Sequence, residues 1–120
     1  MLETSLNLVV IRSTDLDRAA RFYSALGINL TREHHGSGPE HLAGQLGAIV
    51  FEVYPQSRAG ESAEARIGFR VGSVSGTVKA VLAAGGSVAS QPKDSPWGYR
   101  AVVVDPDGHK IELVEAPAGG

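Results

Sequence analysis

Two glutamates in this chain stand where a strand ordinarily carries core or solvent residues. Glu52 lies between Phe51 and Val53, and Glu112 between Ile111 and Leu113. Side chains alternate across a strand, so the four apolar neighbours take one face and both carboxylates the other. One such glutamate needs no more than a sheet with a wet face. Two at matching positions bring in another reading, in which paired sheets curve and both carboxylates enter one concavity. There they could act as bases toward a substrate or as ligands of a divalent ion.

Histidine is the other chemistry-bearing type, and three of the four cluster as His34, His35 and His41. With Gly36 to Glu40 as a five-residue hairpin loop, His35 and His41 face each other on one side of the ribbon. They would then form a substrate-gripping or proton-transfer pair near a pocket mouth, a metal site with Glu52, or simply an exposed hairpin end. His109 directly follows a turn and is expected to be solvated. Arg70 and Arg100 alternate onto the glutamate-bearing side. They suit bidentate binding of a carboxylate or phosphate, or a plain wet face. Trp97 and Tyr99 flank Gly98 in a loop, as aromatic groups beside a cavity or as core anchors. Gly36-Ser37-Gly38 lacks the lysine and helix of a phosphate loop.

The elements that must position these groups fall into two similar halves. In residues 6–54, Leu6 to Ile11 reads as a buried strand. A helix follows, with N-cap candidates at Ser13, Thr14 and Asp15 and an apolar face of Leu16, Ala19, Ala20, Tyr23 and Leu26. Gly27 stops it. Strands are expected at Ile28 to Arg32, Leu42 to Leu46 and Ala48 to Tyr54. Residues 55–65 are polar and small and read as a linker. In residues 66–115, Arg66 to Val71 is a strand and Val74, Val78, Val81 and Leu82 mark a helix ended by Gly85-Gly86. Strands follow at Ser87 to Ser90, Tyr99 to Val104 and Lys110 to Glu115. The last two are joined by Asp105-Pro106-Asp107-Gly108, which suits a type I turn. Leu16, Ala20, Tyr23, Leu26 and Gly27 map onto Val74, Val78, Val81, Ala84 and Gly85 with a constant shift of 58, and Phe51-Glu52-Val53 onto Ile111-Glu112-Leu113 with a shift of 60. The pattern is a duplicated β-α-β-β-β unit in one α+β domain over residues 1–120.

Composition sets the outer limits. The chain has 120 residues, 42% hydrophobic and 20% charged, as in a globular domain. Its net charge of -2 offers no electrostatic footprint for nucleic acid or an anionic membrane. No apolar run approaches the roughly 20 residues of a bilayer span. Met1 to Ser5 shows neither the basic region nor the apolar segment of a secretion signal, so the expected location is the cytoplasm. Without cysteine, disulfides, thiolate nucleophiles and cysteine-ligated zinc are excluded.

Asp15-Leu16 with Phe22-Tyr23 and Leu26-Gly27, then Val50 to Val53, then Asp105 to Gly108 with Ile111-Glu112-Leu113, resemble the vicinal oxygen chelate superfamily. Its members include glyoxalase, bleomycin-resistance proteins and extradiol dioxygenases. The resemblance implies a curved mixed sheet formed by the two repeats around a small-molecule pocket. It also implies that an aromatic residue of a Trp-Gly segment closes over the cavity, here Trp97 before Gly98.

Metal-dependent members hold a divalent ion through one residue from each of four strands, histidines in the first strand of each half and glutamates in the last. Glu52 and Glu112 match the glutamates. Asn7 falls at or beside the first histidine position and Arg66 at the second. A guanidinium stays protonated and cannot ligate a metal. That departure disfavours the inherited metal site and predicts an ion-paired floor of Glu52, Arg66 and Glu112.

The resulting expectation is a small-molecule binder, or a metal-independent lyase or isomerase using Glu52 or Glu112 as base. Asn7, His35, His41, Arg66, Arg70, Trp97, Tyr99 and Arg100 are its candidate ligand contacts. The alternative is a divalent-metal-dependent glyoxalase-like lyase or dioxygenase that recruits His35 or His41. Since superfamily chains usually dimerise and each half-sheet would leave a long edge exposed, a homodimer is expected, with pockets bounded by the interface.

Overall fold

In chain order the elements are β1 (Leu8–Ser13), α1 (Leu16–Ala25), β2 (Thr31–Glu33), β3 (His41–Leu46), β4 (Ile49–Pro55), β5 (Arg66–Val71), α2 (Val74–Ala83), β6 (Ser87–Lys93), β7 (Arg100–Val104) and β8 (Lys110–Glu115). The computed structural model describes residues 6, 8–56 and 65–115. Asn7, and residues 57–64 of the expected linker, lie outside the described residues.

Local chemistry starts and stops both helices alike. The Asp15 carboxylate accepts from the Arg18 backbone N–H at 3.0 Å and opens α1. The Ser73 hydroxyl accepts from Gly76 N–H at 3.0 Å and opens α2. These satisfy N–H groups that a first helical turn leaves unpaired. Gly27 (φ +89) and Gly85 (φ +95) take the left-handed conformation after each helix, where a Cβ would be strained.

The strands form two four-stranded sheets, ordered β1-β4-β3-β2 and β5-β8-β7-β6. In each, the first strand of the half runs parallel to the last: Val10 lies opposite Glu52 and Gly68 opposite Glu112. The same register sets Leu8 opposite Val50 and Arg66 opposite Lys110. Leu8, rather than Asn7, is therefore the counterpart of Arg66 in the repeat.

One core serves both halves. Phe22, Tyr23, Phe51 and Val53 pack with Val74, Val81, Ile111 and Leu113, all buried. Phe22 thus joins Leu16, Ala19, Ala20, Tyr23 and Leu26 on the apolar side of α1. The Phe51 and Phe69 rings, one from each sheet, lie 6.1 Å apart. The helix-facing sides of the sheets are accordingly the inner ones, as the alternation around Glu52 and Glu112 requires.

The turn after β7 ties the halves together. Asp105 accepts from the Tyr23 hydroxyl at 2.8 Å, and from the backbone N–H groups of Asp107 and His109 at 2.9 Å each. Burial, followed by the Asp105 charge and hydrogen bond, raises the Tyr23 phenol far above its usual range. Asp107 accepts from the backbone N–H of Thr14 at 2.8 Å and from the Ser13 and Thr14 hydroxyls. Burial pushes Asp107 up, yet those bonds and the Arg18 charge outweigh it and hold its carboxyl below the usual range.

Three expectations need correction. His109 is fully buried, not solvated. Its Nδ1 accepts from Ala65 N–H at 3.1 Å, so the proton sits on Nε2, which donates to the Arg12 carbonyl at 2.7 Å. Both partners are remote in sequence, which is why local reading misplaced it. The strand expected at Ile28 to Arg32 begins only at Thr31, because Ile28 is used as a buried core residue next to Gly27. The strand expected to stop at Ser90 continues to Lys93 through Pro92. As an edge strand with register shifts after Val88 and Ser90, β6 tolerates a residue with no N–H to donate. Among the described residues no helix is long and apolar enough to cross a membrane.

Candidate functional site

The outer face of the second sheet carries an arginine-rich floor. Arg66 Nε donates to Glu112 Oε2 at 3.0 Å, and Arg100 binds the other carboxylate oxygen. Arg66 and Arg100 reach Glu112 because their strands, β5 and β7, flank β8 on either side. The Arg66 hydrogen bond, opposed by slight desolvation and reinforced by Arg100, holds the Glu112 carboxyl below the usual range.

Above this floor is a cavity of about 800 Å³ lined by Gly68, Arg70, Trp97, Arg100, Glu112 and Val114, together with Phe69 and Leu113. Gly68 leaves the surface beside Glu112 open, a Cβ there meeting only Glu112 Cβ at 3.9 Å. Arg70 makes no hydrogen bond or ion pair within the described residues. Trp97 is 77% exposed, so it is not a core anchor but an aromatic wall of the cavity. Tyr99 instead packs, partly buried, against the core.

A different set of groups occupies the outer face of the first sheet. Glu33 pairs directly with His41 across β2 and β3, and Ala43 with Glu52 across β3 and β4. His41 is 2% exposed and stacks on Tyr54, ring centroids 4.3 Å apart and planes within 6°. His41 Nε2 lies 3.7 Å from both Glu33 Oε2 and Glu52 Oε2, and His35 Nε2 lies 3.5 Å from Glu33 Oε2. The two histidines do meet, with rings 5.4 Å apart. The hairpin differs from expectation in register: β2 ends at Glu33, which takes the place opposite His41 that His35 was expected to fill. Glu33 and Tyr54 are the members of this cluster that sequence reasoning missed. Alternation from Glu52 would have found Tyr54, but Glu33 required knowing the loop length.

The expected floor of Glu52, Arg66 and Glu112 divides between these two faces. Arg66 pairs with Glu112 and not with Glu52, whose ion-pair neighbour among the described residues is His41. Each glutamate belongs to its own sheet, and the described residues that line the cavity at Glu112 all come from the second half.

A model of the Glyoxalase/Bleomycin resistance protein/Dioxygenase superfamily matches residues 5–113. The chain belongs to that superfamily. Among its relatives is a probable chloroplastic lactoylglutathione lyase of Arabidopsis thaliana, 30% identical over 127 aligned positions, covering 89% of this chain and 34% of that protein. The chain thus spans about a third of that relative's length. A probable lactoylglutathione lyase of Vibrio cholerae is 29% identical, with 88% of this chain and 86% of that protein covered. Among solved structures, a glyoxalase I mutant from Zea mays superposes with a TM-score of 0.76 at 28% identity, covering 91% of this chain and 45% of that one.

The resemblance implies metal ligands at four strand positions, which in this register are Leu8, or Asn7 beside it, with Glu52, Arg66 and Glu112. Those residues do not fit a divalent ion. Leu8 has no donor atom, Arg66 is a permanent cation, and both Glu112 oxygens are held by guanidinium groups. Asn7 lies outside the described residues.

Proposed function

We propose that this superfamily member is a small-molecule-binding protein without the family's metal centre. Its ligand carries an anionic group and a flat, largely apolar body. The observation that carries this reading is the guanidinium-held Glu112 on the floor of the cavity. A carboxylate held by two arginines is a poor base, which weighs against Glu112 as a catalyst. Three arginines against one carboxylate leave the floor cationic, with Arg70 free to bind an incoming carboxylate or phosphate bidentately. Trp97 offers a face for stacking. The volume suits a drug-sized ligand.

A second reading has one specific support. Glu52 is only 19% exposed and, unlike Glu112, has no arginine partner among the described residues, so neither of its oxygens is held by a guanidinium there. A metal-independent lyase or isomerase would use it, and the relatives described as probable lactoylglutathione lyases keep that reading open.

Either reading is best completed by a homodimer. β1 and β5 are edge strands; Leu8 and Val10 expose apolar side chains on the first of them, and Leu6, before it, is exposed as well. Pairing β1 of one protomer with β5 of its partner would cover both edges. It would also set the Glu52 face of one chain beside the Arg66 and Glu112 face of the other.

Calorimetric titration with 2-naphthoate and with the neutral 2-naphthamide tests the binding reading. Naphthoate is expected to bind more tightly, and Arg70→Ala to weaken it roughly tenfold, as for a lost charge-assisted hydrogen bond of about 1.5 kcal/mol. Equal affinity for the two probes in the parent protein would contradict it.

A further inference from the structure

We propose that Glu33, His35 and His41 form a binding site for a divalent ion of the zinc or nickel kind, separate from the strand positions the superfamily uses. The tautomer of His41 is set by its neighbours. Its Nδ1 lies 3.2 Å from the Pro39 carbonyl, which can only accept, so Nδ1 carries the hydrogen. In a neutral imidazole Nε2 is then a bare lone pair. That atom is buried and has no hydrogen-bond partner among the described residues. It faces two carboxylate oxygens at 3.7 Å, one from Glu33 and one from Glu52. A lone pair aimed at two anions from beyond hydrogen-bond range is unfavourable unless a cation lies between them.

The spacing suits a metal ion. Donor atoms of Glu33, His35 and His41 all lie within 4.8 Å of one another, two of the separations being 3.5 and 3.7 Å. Ligands about 2.0–2.1 Å from a tetrahedral zinc stand about 3.4 Å apart, so a small contraction closes the set. Two imidazoles and one carboxylate suit zinc or nickel and not magnesium, which prefers oxygen.

The surroundings are those of an oriented ligand. Metal-bound histidine typically donates its other ring nitrogen to a carbonyl or carboxylate, as His41 does to Pro39. Stacking on Tyr54 fixes the ring plane. Glu52 stands behind as a further anion. His35, 73% exposed, closes the set from the solvent side and leaves coordination positions open to water or a ligand atom.

Titration calorimetry of the whole chain, stripped with chelator and dialysed, tests this with zinc chloride, nickel chloride and magnesium chloride. Zinc and nickel are expected to bind at one ion per chain, micromolar or tighter, and magnesium to give no saturable heat. His35→Ala lies on an exposed side chain and leaves the fold intact, yet should weaken zinc at least tenfold, as should Glu33→Gln. His34→Ala, beside the cluster but outside it, should leave zinc affinity unchanged. The proposal is overturned if no stoichiometric zinc or nickel binds, a proton alone then filling the gap. It is equally overturned if His35→Ala and Glu33→Gln bind like the parent, or if zinc is lost in Glu112→Gln while His35→Ala retains it.

Discussion

An arginine bound to a carboxylate changes what that carboxylate can do, and Glu52 and Glu112 show the contrast within one chain. They occupy the same place in the two repeats, but Glu112 is held by Arg66 and Arg100 and Glu52 faces His41. Replacing Arg66 by alanine should move the Glu112 titration midpoint up toward the ordinary range, observed by NMR of its side-chain carboxyl. A carboxyl held low in the folded state contributes stability above its ordinary pKa of about 4.3, and that contribution is lost as pH falls through the folded midpoint. The parent should therefore lose this increment in acid, and Arg66→Ala, which keeps only the Arg100 partner, should lose less of it; with Glu112 36% exposed, the increment is small. The outward direction of both glutamates, and of Arg70 and Arg100, was legible from alternation alone. Their partners were not, because a side chain's ion pair depends on which strands become neighbours.

The turn after β7 is the element on which the two halves depend most. Asp107 is almost inaccessible and takes hydrogen bonds from Ser13 and Thr14, in the approach to α1. Asp107→Ala should cost about 3 kcal/mol in urea unfolding, from the lost charge-assisted bonds, one of which comes from the buried Ser13 hydroxyl. His109→Ala should cost about 2–4 kcal/mol by the same measurement, since it opens a cavity and strands the Ala65 N–H and the Arg12 carbonyl. The start of α1 and the ends of both helices were legible because Asp15, Gly27 and Gly85 act within one turn of their own chain. His109 was not, because Arg12 is 97 residues away. The same limit applies to β6, whose passage through Pro92 depends on its being an edge strand.

At the scale of the whole molecule, the duplication was readable from the offsets of 58 and 60, and the α+β sheets follow it. What the offsets did not show is that each repeat makes its own four-stranded sheet, with the outer faces carrying different chemistry. If the homodimer joins β1 to β5, a lysine at Leu8, on the exposed edge strand, should shift the sedimentation profile from dimer to monomer without loss of helical signal. A parent already monomeric at micromolar concentration would contradict the dimer. The cavity proposed for an anionic flat ligand carries its own reporter, because Trp97 is the chain's single tryptophan and forms part of the cavity wall. Titrating the parent protein with 2-naphthoate while following tryptophan fluorescence should give saturable quenching that 2-naphthamide produces only at much higher concentration. Unchanged fluorescence at saturating naphthoate, or identical curves for the acid and the amide, would contradict the account.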